Sequence, residues 1–371
     1  MSYNYYEEKK SKLLPWSEKY RPSSIQNIIY HEKITKTIVN YLDVNKLPHL
    51  LFYGPPGTGK TSTILAIAKH YYKEDFQNMI LVLNASEERG IETVRNRIKQ
   101  FVTTCGLPEN KDTPPFKLII LDEIDAMTED AQAILRKVVE KYVNNVRFCF
   151  ICNYLKKINP AIQSRCIIFR FKPIPEINME NFINDICKRE NIKINTTAIK
   201  LIIKRSNGDM RKLLNILQSI YMYINSSDLQ RPNSKILIEN SLDLTKNNIS
   251  KIYDDTTHLL INENDVSKIL SCPTNDNIIK ILKFIQENKL DKSYDYITNM
   301  VINDGISLVE LISCFYEYFI DSIINNNKSI IKYDNTKSVE IIKNMSMINE
   351  NLSYCNNDNN QIISFISLFY L

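Results

Sequence analysis

The sequence predicts an α/β protein built on a mainly parallel sheet and followed by purely helical domains, and three observations carry that expectation. Five short apolar runs rich in β-branched residues, at 48 to 53, 79 to 84, 116 to 121, 146 to 152 and 166 to 171, are mostly separated by stretches of helical spacing. A glycine-rich loop joins the first run to a helix expected over Thr61 to Tyr72. Beyond Phe171-Lys172-Pro173-Ile174-Pro175 the apolar spacing is helical only, and two prolines mark the change. Strands buried on both faces and alternating with helices argue a parallel sheet with helices packed on each side.

Taken in order, residues 1–172 form the predicted core and residues 173–234 a small helical domain, with helices expected at 176 to 188, 197 to 205 and 209 to 224. The polar stretch Asn225 to Ser234 reads as a linker. Residues 235–371 read as an all-helical unit, with Ile278, Ile281, Leu282 and Ile285 at helical spacing and an aromatic-rich segment from Leu311 to Phe319. Asparagine-rich breaks at 325–327 and 356–360 read as loops.

The loop itself is Gly54-Pro55-Pro56-Gly57-Thr58-Gly59-Lys60-Thr61, and it holds three of the chain's seven glycines. Glycine turns a backbone tightly and lets its N–H groups approach a ligand without a Cβ in the way. An apolar strand before the loop and a helix after it supply the setting of a phosphate site, with backbone amides and the helix N-terminus facing the anion. Gly54, Pro55, Pro56, Gly57, Thr58, Gly59, Lys60, Thr61 and Ser62 are thus expected to contact a nucleotide such as ATP. Lys60 is expected on the β/γ oxygens and the Thr61 hydroxyl on Mg²⁺.

A second motif ends the third apolar run: Leu118-Ile119-Ile120-Leu121-Asp122-Glu123-Ile124-Asp125. Carboxylates at the end of a buried strand are costly without a compensating cation. Asp122 is the natural partner of Mg²⁺, and Glu123 is suited to orient and polarise an attacking water. Asp125 is the weaker member of the run.

Composition sets bounds. At 371 residues two or three domains are expected, and 44% apolar content suffices for globular packing. A net charge of +5 is only mildly basic, so any nucleic-acid contact must come from a local patch. Eight scattered cysteines in a chain that opens without a signal-peptide pattern predict reduced thiols in the cytosol or nucleus. Cys149 and Cys152, three apart on a strand, fall on opposite faces and read as core, not as a zinc or redox pair. No apolar run approaches the length of a membrane span, which predicts a soluble protein without membrane contact.

Seven motifs occur together and in order: Pro15-Trp16-x-Glu18-Lys19-Tyr20-Arg21-Pro22, the phosphate loop, Leu83-Asn84-Ala85-Ser86-x-x-Arg89-Gly90, the acidic run at 122–125, Asn153-Tyr154, Ser164-Arg165-Cys166 and Gly208-Asp209-Met210-Arg211. Over about residues 14–220 the chain resembles the small subunits of replication factor C, eukaryotic clamp loaders of the AAA+ class. Glu87-Glu88 departs from the residue pair more usual there. The resemblance implies an AAA+ core, a helical lid domain and a helical collar, with ATP and Mg²⁺ as cofactors. It implies a hetero-pentamer with other replication factor C subunits, a sliding clamp (proliferating cell nuclear antigen) and primer-template DNA as partners, and a nuclear location.

The resemblance also assigns roles. Asn153, at a strand end beside the acidic one, would sense the γ-phosphate. Arg211, opening a helix with Leu213, Leu214, Leu217 and Ile220 on one face, would reach the nucleotide from the lid. Arg165 would enter the neighbouring subunit's ATP site in trans, and the sequence shows it no acidic partner nearby. Tyr20, Arg21 and Pro22 would lie near the adenine, the alternative being an apolar strap packed on the core. Arg95 and Lys99, four apart on a helix starting near Ile91, with Arg89 at its start and Lys157 added, would track DNA phosphates rather than read bases; a solvated helix face is the alternative. Two functional readings remain open: an ATPase that turns over, and an ATP-binding scaffold that contributes mainly its collar and Arg165.

Overall fold

The computed structural model describes residues 14–86, 91–104, 114–229, 260–324, 335–352, 354 and 358–369. The chain divides into two compact units, the first comprising Met1–Ile192 with Ile202–Gln218, the second Lys193–Leu201 with Ser219–Leu371.

In the first unit β1 (His49–Tyr53), β2 (Ile80–Asn84), β3 (Lys117–Asp122), β4 (Val146–Cys152) and β5 (Cys166–Arg170) form one sheet in the order β2-β3-β4-β1-β5. Every pairing is parallel. The side-chain period of two sends each strand's apolar residues to both faces. Leu50, Phe52, Leu118, Ile120, Cys149 and Ile151 pack with α1 (Glu32–Asp43) and α2 (Lys60–Tyr72) on one side. Leu51, Ile119, Leu121, Phe148, Phe150 and Cys152 pack with α3 (Ile91–Thr104) and α4 (Glu129–Tyr142) on the other. The central strands β3, β4 and β1 read as continuous apolar runs because both faces are covered. The expectation of two covered faces needs correction at the edges, where β2 leaves Val82 exposed and β5 leaves Ile167 and Ile168 exposed. Cys149 and Cys152 take opposite faces as expected, and burial pushes both thiols up, Cys152 to about 12, so neither is a ready thiolate. Buried Lys117 donates to the carbonyls of Phe101 (2.8 Å) and Val102 (3.3 Å) in the last turn of α3, where a helix favours a cation.

Among its described residues the second unit is helical apart from one short parallel pair, β6 (Lys193–Ile194) with β7 (Leu260–Ile261), too short to leave an apolar signature in sequence. Beyond that pair come the helices Glu263–Ile269, Asn275–Gln286, Leu290–Asn303, Leu308–Ile324, Asn335–Leu352 and Asp358–Ser367. They enclose a core in which Ile278, Ile281, Leu282 and Ile285 meet Phe315, Phe319, Phe365 and Phe369. Two expectations need correction. The helix that begins at Met210 continues to Leu229, so the expected linker starts inside it, and the loop expected at 356–360 already starts a helix at Asp358. Local polar composition suggested breaks, but intrinsic propensity is a weak guide that tertiary context overrides. The break at 325–327 lies outside the described residues. Among those residues no helix is long and apolar enough to cross a membrane.

One buried group ties the sheet to pH. His49 is 7% exposed, and its Nδ1 accepts the N–H of Phe148 at 3.1 Å. Burial, and behind it the charge of Arg147, lowers its pKa from 6.5 to about 4. The unfolded chain therefore binds this proton first as pH falls, so stability is full above about 6.5 and declines towards 4, by up to about 1.4 kcal/mol per pH unit for this group. Urea unfolding across that range should show a steeper pH dependence for the native chain than for His49→Gln. Equal slopes would mean that His49 titrates normally.

Candidate functional site

The strand order sets three carboxyl ends side by side, because β4 lies between β3 and β1. Such ends are where open parallel sheets bind ligands. β1 runs into the loop 54–59, β3 ends at Asp122 and β4 is followed by Asn153. A cavity of about 200 Å³ lies there.

The loop is held by the protein itself. Lys60 is buried, and its Nζ donates to the carbonyls of Gly54 (2.7 Å) and Pro55 (2.8 Å) and to Asn153 Oδ1 (3.0 Å). Burial lowers its pKa, with the Asp122 carboxylate opposing that shift most strongly. Thr58 Oγ1 donates to the Pro55 carbonyl at 2.9 Å. Two glycines are required by chain packing as well as by any ligand. A Cβ on Gly54 would stand 2.1 Å from the Phe171 carbonyl oxygen. On Gly57, at φ +67°, it would stand 1.7 Å from Asp209 Oδ1.

The acids meet the loop at one point. Thr61 Oγ1 donates to Asp122 Oδ2 at 2.6 Å, so the two oxygens expected to ligate Mg²⁺ are neighbours. Glu123 is exposed, lines the cavity and takes a left-handed φ of 56°, a conformation that costs a non-glycine residue about 1–2 kcal/mol. Asp125 does not line the cavity; its Oδ2 accepts the backbone N–H groups of Asn153 and Tyr154, both at 3.1 Å.

The segments flanking the sheet complete the walls. Tyr20, Arg21 and Pro22 line the cavity, and Arg21 Nε donates to Ser62 Oγ at 3.2 Å. Lys19 and the Tyr20 hydroxyl both reach the Glu190 carboxylate. The helix from Met210 is capped by Asp209 Oδ1, which accepts from the N–H of Arg211 (2.8 Å) and Lys212 (3.1 Å). The Met210 N–H donates to the Gly57 carbonyl at 3.1 Å, so the segment carrying Arg211 is bonded to the phosphate loop.

Of the residues expected from sequence, Tyr20, Arg21, Pro22, Pro56, Gly57, Thr58, Gly59, Lys60, Thr61, Ser62, Asp122, Glu123, Asn153 and Arg211 line this one cavity, while Gly54 and Pro55 support it through Lys60. The apolar wall of Ile28, Ile29, Ile174, Phe182 and Leu214 was not foreseen. Apolar helix and strap residues carry no local sign of facing a cavity rather than the core. Arg165 lies elsewhere and needs correction. It has an acidic partner, Glu140 Oε1, 2.6 Å from its Nη2, and its Nη1 donates to the Ala161 carbonyl at 2.6 Å. Glu140 sits 25 residues away in sequence, beyond local reading. Arg95 and Lys99 are exposed on α3, while their neighbours Val94 and Ile98 are buried; Lys157 is exposed, its Nζ 5.4 Å from the Tyr154 ring centre. Arg89 lies outside the described residues.

The family described as "ATPase family associated with various cellular activities (AAA)" matches residues 50–174, and the RCF1/5-like AAA+ ATPase lid domain matches 181–222. Fold and site thus define an ATPase of the AAA+ class with a helical lid. The replication factor C C-terminal domain matches 273–367. The chain is 38% identical over 365 residues to the probable replication factor C subunit 5 of Dictyostelium discoideum, covering 98% of this chain and 93% of that protein. Replication factor C subunit 3 of Schizosaccharomyces pombe is 38% identical over 88% of this chain and 84% of its own length. Human replication factor C subunit 5 is 50% identical over 56% of this chain and 61% of its own length. The chain belongs to the replication factor C subunit family, in the branch whose members are named subunit 5 or subunit 3.

Proposed function

We propose that this chain is an ATP-binding and ATP-hydrolysing small subunit of a clamp loader, one that opens a sliding clamp (proliferating cell nuclear antigen) and loads it onto primer-template DNA in the nucleus. The observation that carries turnover is the Thr61–Asp122 contact beside an intact Glu123 and a Lys60 already bonded to Asn153. An ATP-binding scaffold has no need to keep all five together. Residues present fit both cofactors. Gly57, Gly59 and Lys60 form a cradle at a helix N-terminus, and Thr61 with Asp122 offers the hard oxygens that Mg²⁺ takes, completed by phosphate and water. Bound ATP with Mg²⁺ supplies the phosphoryl group and neutralises its charge. Lys60 holds phosphate oxygens, Glu123 orients water, and Arg211 links the lid to the nucleotide.

Lys60→Ala should weaken ATP binding, whereas Glu123→Gln should leave binding intact and slow turnover roughly 10²–10⁴-fold. Nucleotide titration and single-turnover hydrolysis separate the two. Unchanged turnover in the assembled complex carrying Glu123→Gln would favour the scaffold.

Arg165 serves a neighbour's nucleotide in a hetero-pentamer. Its pair with Glu140 is well exposed on both sides, and such pairs contribute about 0.2–1 kcal/mol, too little to hold an arginine back from a phosphate. In the complex purified from nuclei, with its other subunits and clamp identified by mass spectrometry, Arg165→Ala should leave this subunit's ATP affinity unchanged. It should slow hydrolysis at the adjacent site by roughly 10³–10⁵. Slowing at its own site instead would place the arginine in cis.

For DNA, Arg95 and Lys99 form an exposed pair on one helix face, joined in this reading by Lys157 and Arg89. Arg95→Ala with Lys99→Ala should weaken binding equally across sequences and reduce the slope of log K against log salt by roughly 2. An unchanged slope would remove the pair from the DNA track.

A further inference from the structure

Asp125 is the one acid of the 122–125 run that the proposed chemistry does not use. It does not line the nucleotide cavity, so it neither ligates a cation there nor touches a phosphate. Its carboxylate is nonetheless committed. Oδ2 accepts two consecutive N–H groups, those of Asn153 and Tyr154, each at 3.1 Å. β4 ends at Cys152, so these amides lie just past the last strand residue and depend on a partner from outside the ladder. Asp125 is presented to them by a single turn of 3-10 helix, Ile124–Ala126, closed by the Ala126 N–H on the Glu123 carbonyl at 2.9 Å and the Met127 N–H on the Ile124 carbonyl at 3.1 Å. That turn starts at Glu123, whose left-handed φ swings the chain out of β3. One short segment thus turns Glu123 towards the cavity and Asp125 towards the end of β4.

The consequence falls on the Asn153 side chain. Its Oδ1 accepts from Lys60 Nζ at 3.0 Å, which leaves its NH₂ group as the free end of the amide at the cavity wall. We propose that Asp125 is a positioning residue for Asn153: by clamping the backbone of residues 153 and 154 it fixes the amide against Lys60, so that its donor end distinguishes a nucleotide carrying a γ-phosphate from one without. The inference rests on the reading of Asn153 as the γ-phosphate contact. A carboxylate is suited to the task because a charged acceptor holds two N–H groups more firmly than a neutral one.

The test measures, on the full chain, the ratio of affinities for a non-hydrolysable ATP analogue and for ADP, together with thermal melting. The native chain should prefer the analogue, and Asn153→Ala should lose that preference. Asp125→Ala should lose it by about tenfold, the worth of one hydrogen bond to a charged group, while ADP affinity stays near native. Asp125→Asn, which keeps an acceptor oxygen at the same reach and preserves the fold, should fall between. Asp125→Ala in the Asn153→Ala background should change the ratio no further, whatever it does to melting. If Asn153→Ala loses the preference but both Asp125 variants keep it, or if the losses multiply in the double variant, Asp125 is only a structural cap and the inference fails. If Asn153→Ala keeps the native preference, the reading of Asn153 itself is wrong.

Discussion

The site depends on where one ammonium goes. Lys60 is buried, so its Nζ must replace lost water with protein acceptors, and it finds three: two carbonyls of its own loop and the Asn153 amide at the end of a different strand. An unpaired buried ammonium would cost several kcal/mol. With three acceptors the charge becomes a fastener that joins β1, the loop and β4. The loop is therefore shaped before any phosphate arrives, and ligand binding need not supply the energy to order it.

The same economy of contacts runs outward from the loop. Gly57 has no Cβ to meet the Asp209 carboxylate and a φ of +67° that strains any other residue, and Asp209 in turn caps the helix that carries Arg211. The Gly57 carbonyl takes the Met210 N–H. A shift in the loop must therefore be felt at the helix start, through one hydrogen bond and one van der Waals limit. On the opposite wall, Arg21 reaches Ser62 while Lys19 and Tyr20 hold Glu190, so the strap near the N-terminus is tied to both the phosphate-loop helix and the end of Glu176–Arg189. Individually these are ordinary bonds of about 1 kcal/mol. Their effect is geometric: they surround one cavity with segments from four parts of the chain.

Much of this was legible in the sequence, for identifiable reasons. The five strands were readable to within a residue or two because each is an unbroken apolar run, in the central three because both faces are covered, and loop and acids because phosphate and Mg²⁺ chemistry constrains residue type and spacing tightly. Long-range polar partners were not. Glu140 beside Arg165, Glu190 beneath Tyr20 and Asp125 beneath Asn153 are each ordinary acids in sequence, and their roles arise from separations of 25, 170 and 28 residues. The helix through Leu229 and the start at Asp358 were misread because local polar composition was weighed where tertiary packing decides.

By itself, then, the sequence determined the class of chemistry and the alternation of strand and helix, since both are written in local spacing: a fixed octet for phosphate, a period of two or of 3.6 for burial. Only the tertiary structure decided the strand order, and with it which strand ends are neighbours. It also decided that a lysine, an asparagine and an aspartate far apart in the chain share one hydrogen-bonded chain of contacts. Periodicity says which face of an element is buried. It says nothing of which element buries it, because that choice is made by packing and by the need of buried polar groups to find partners across the fold.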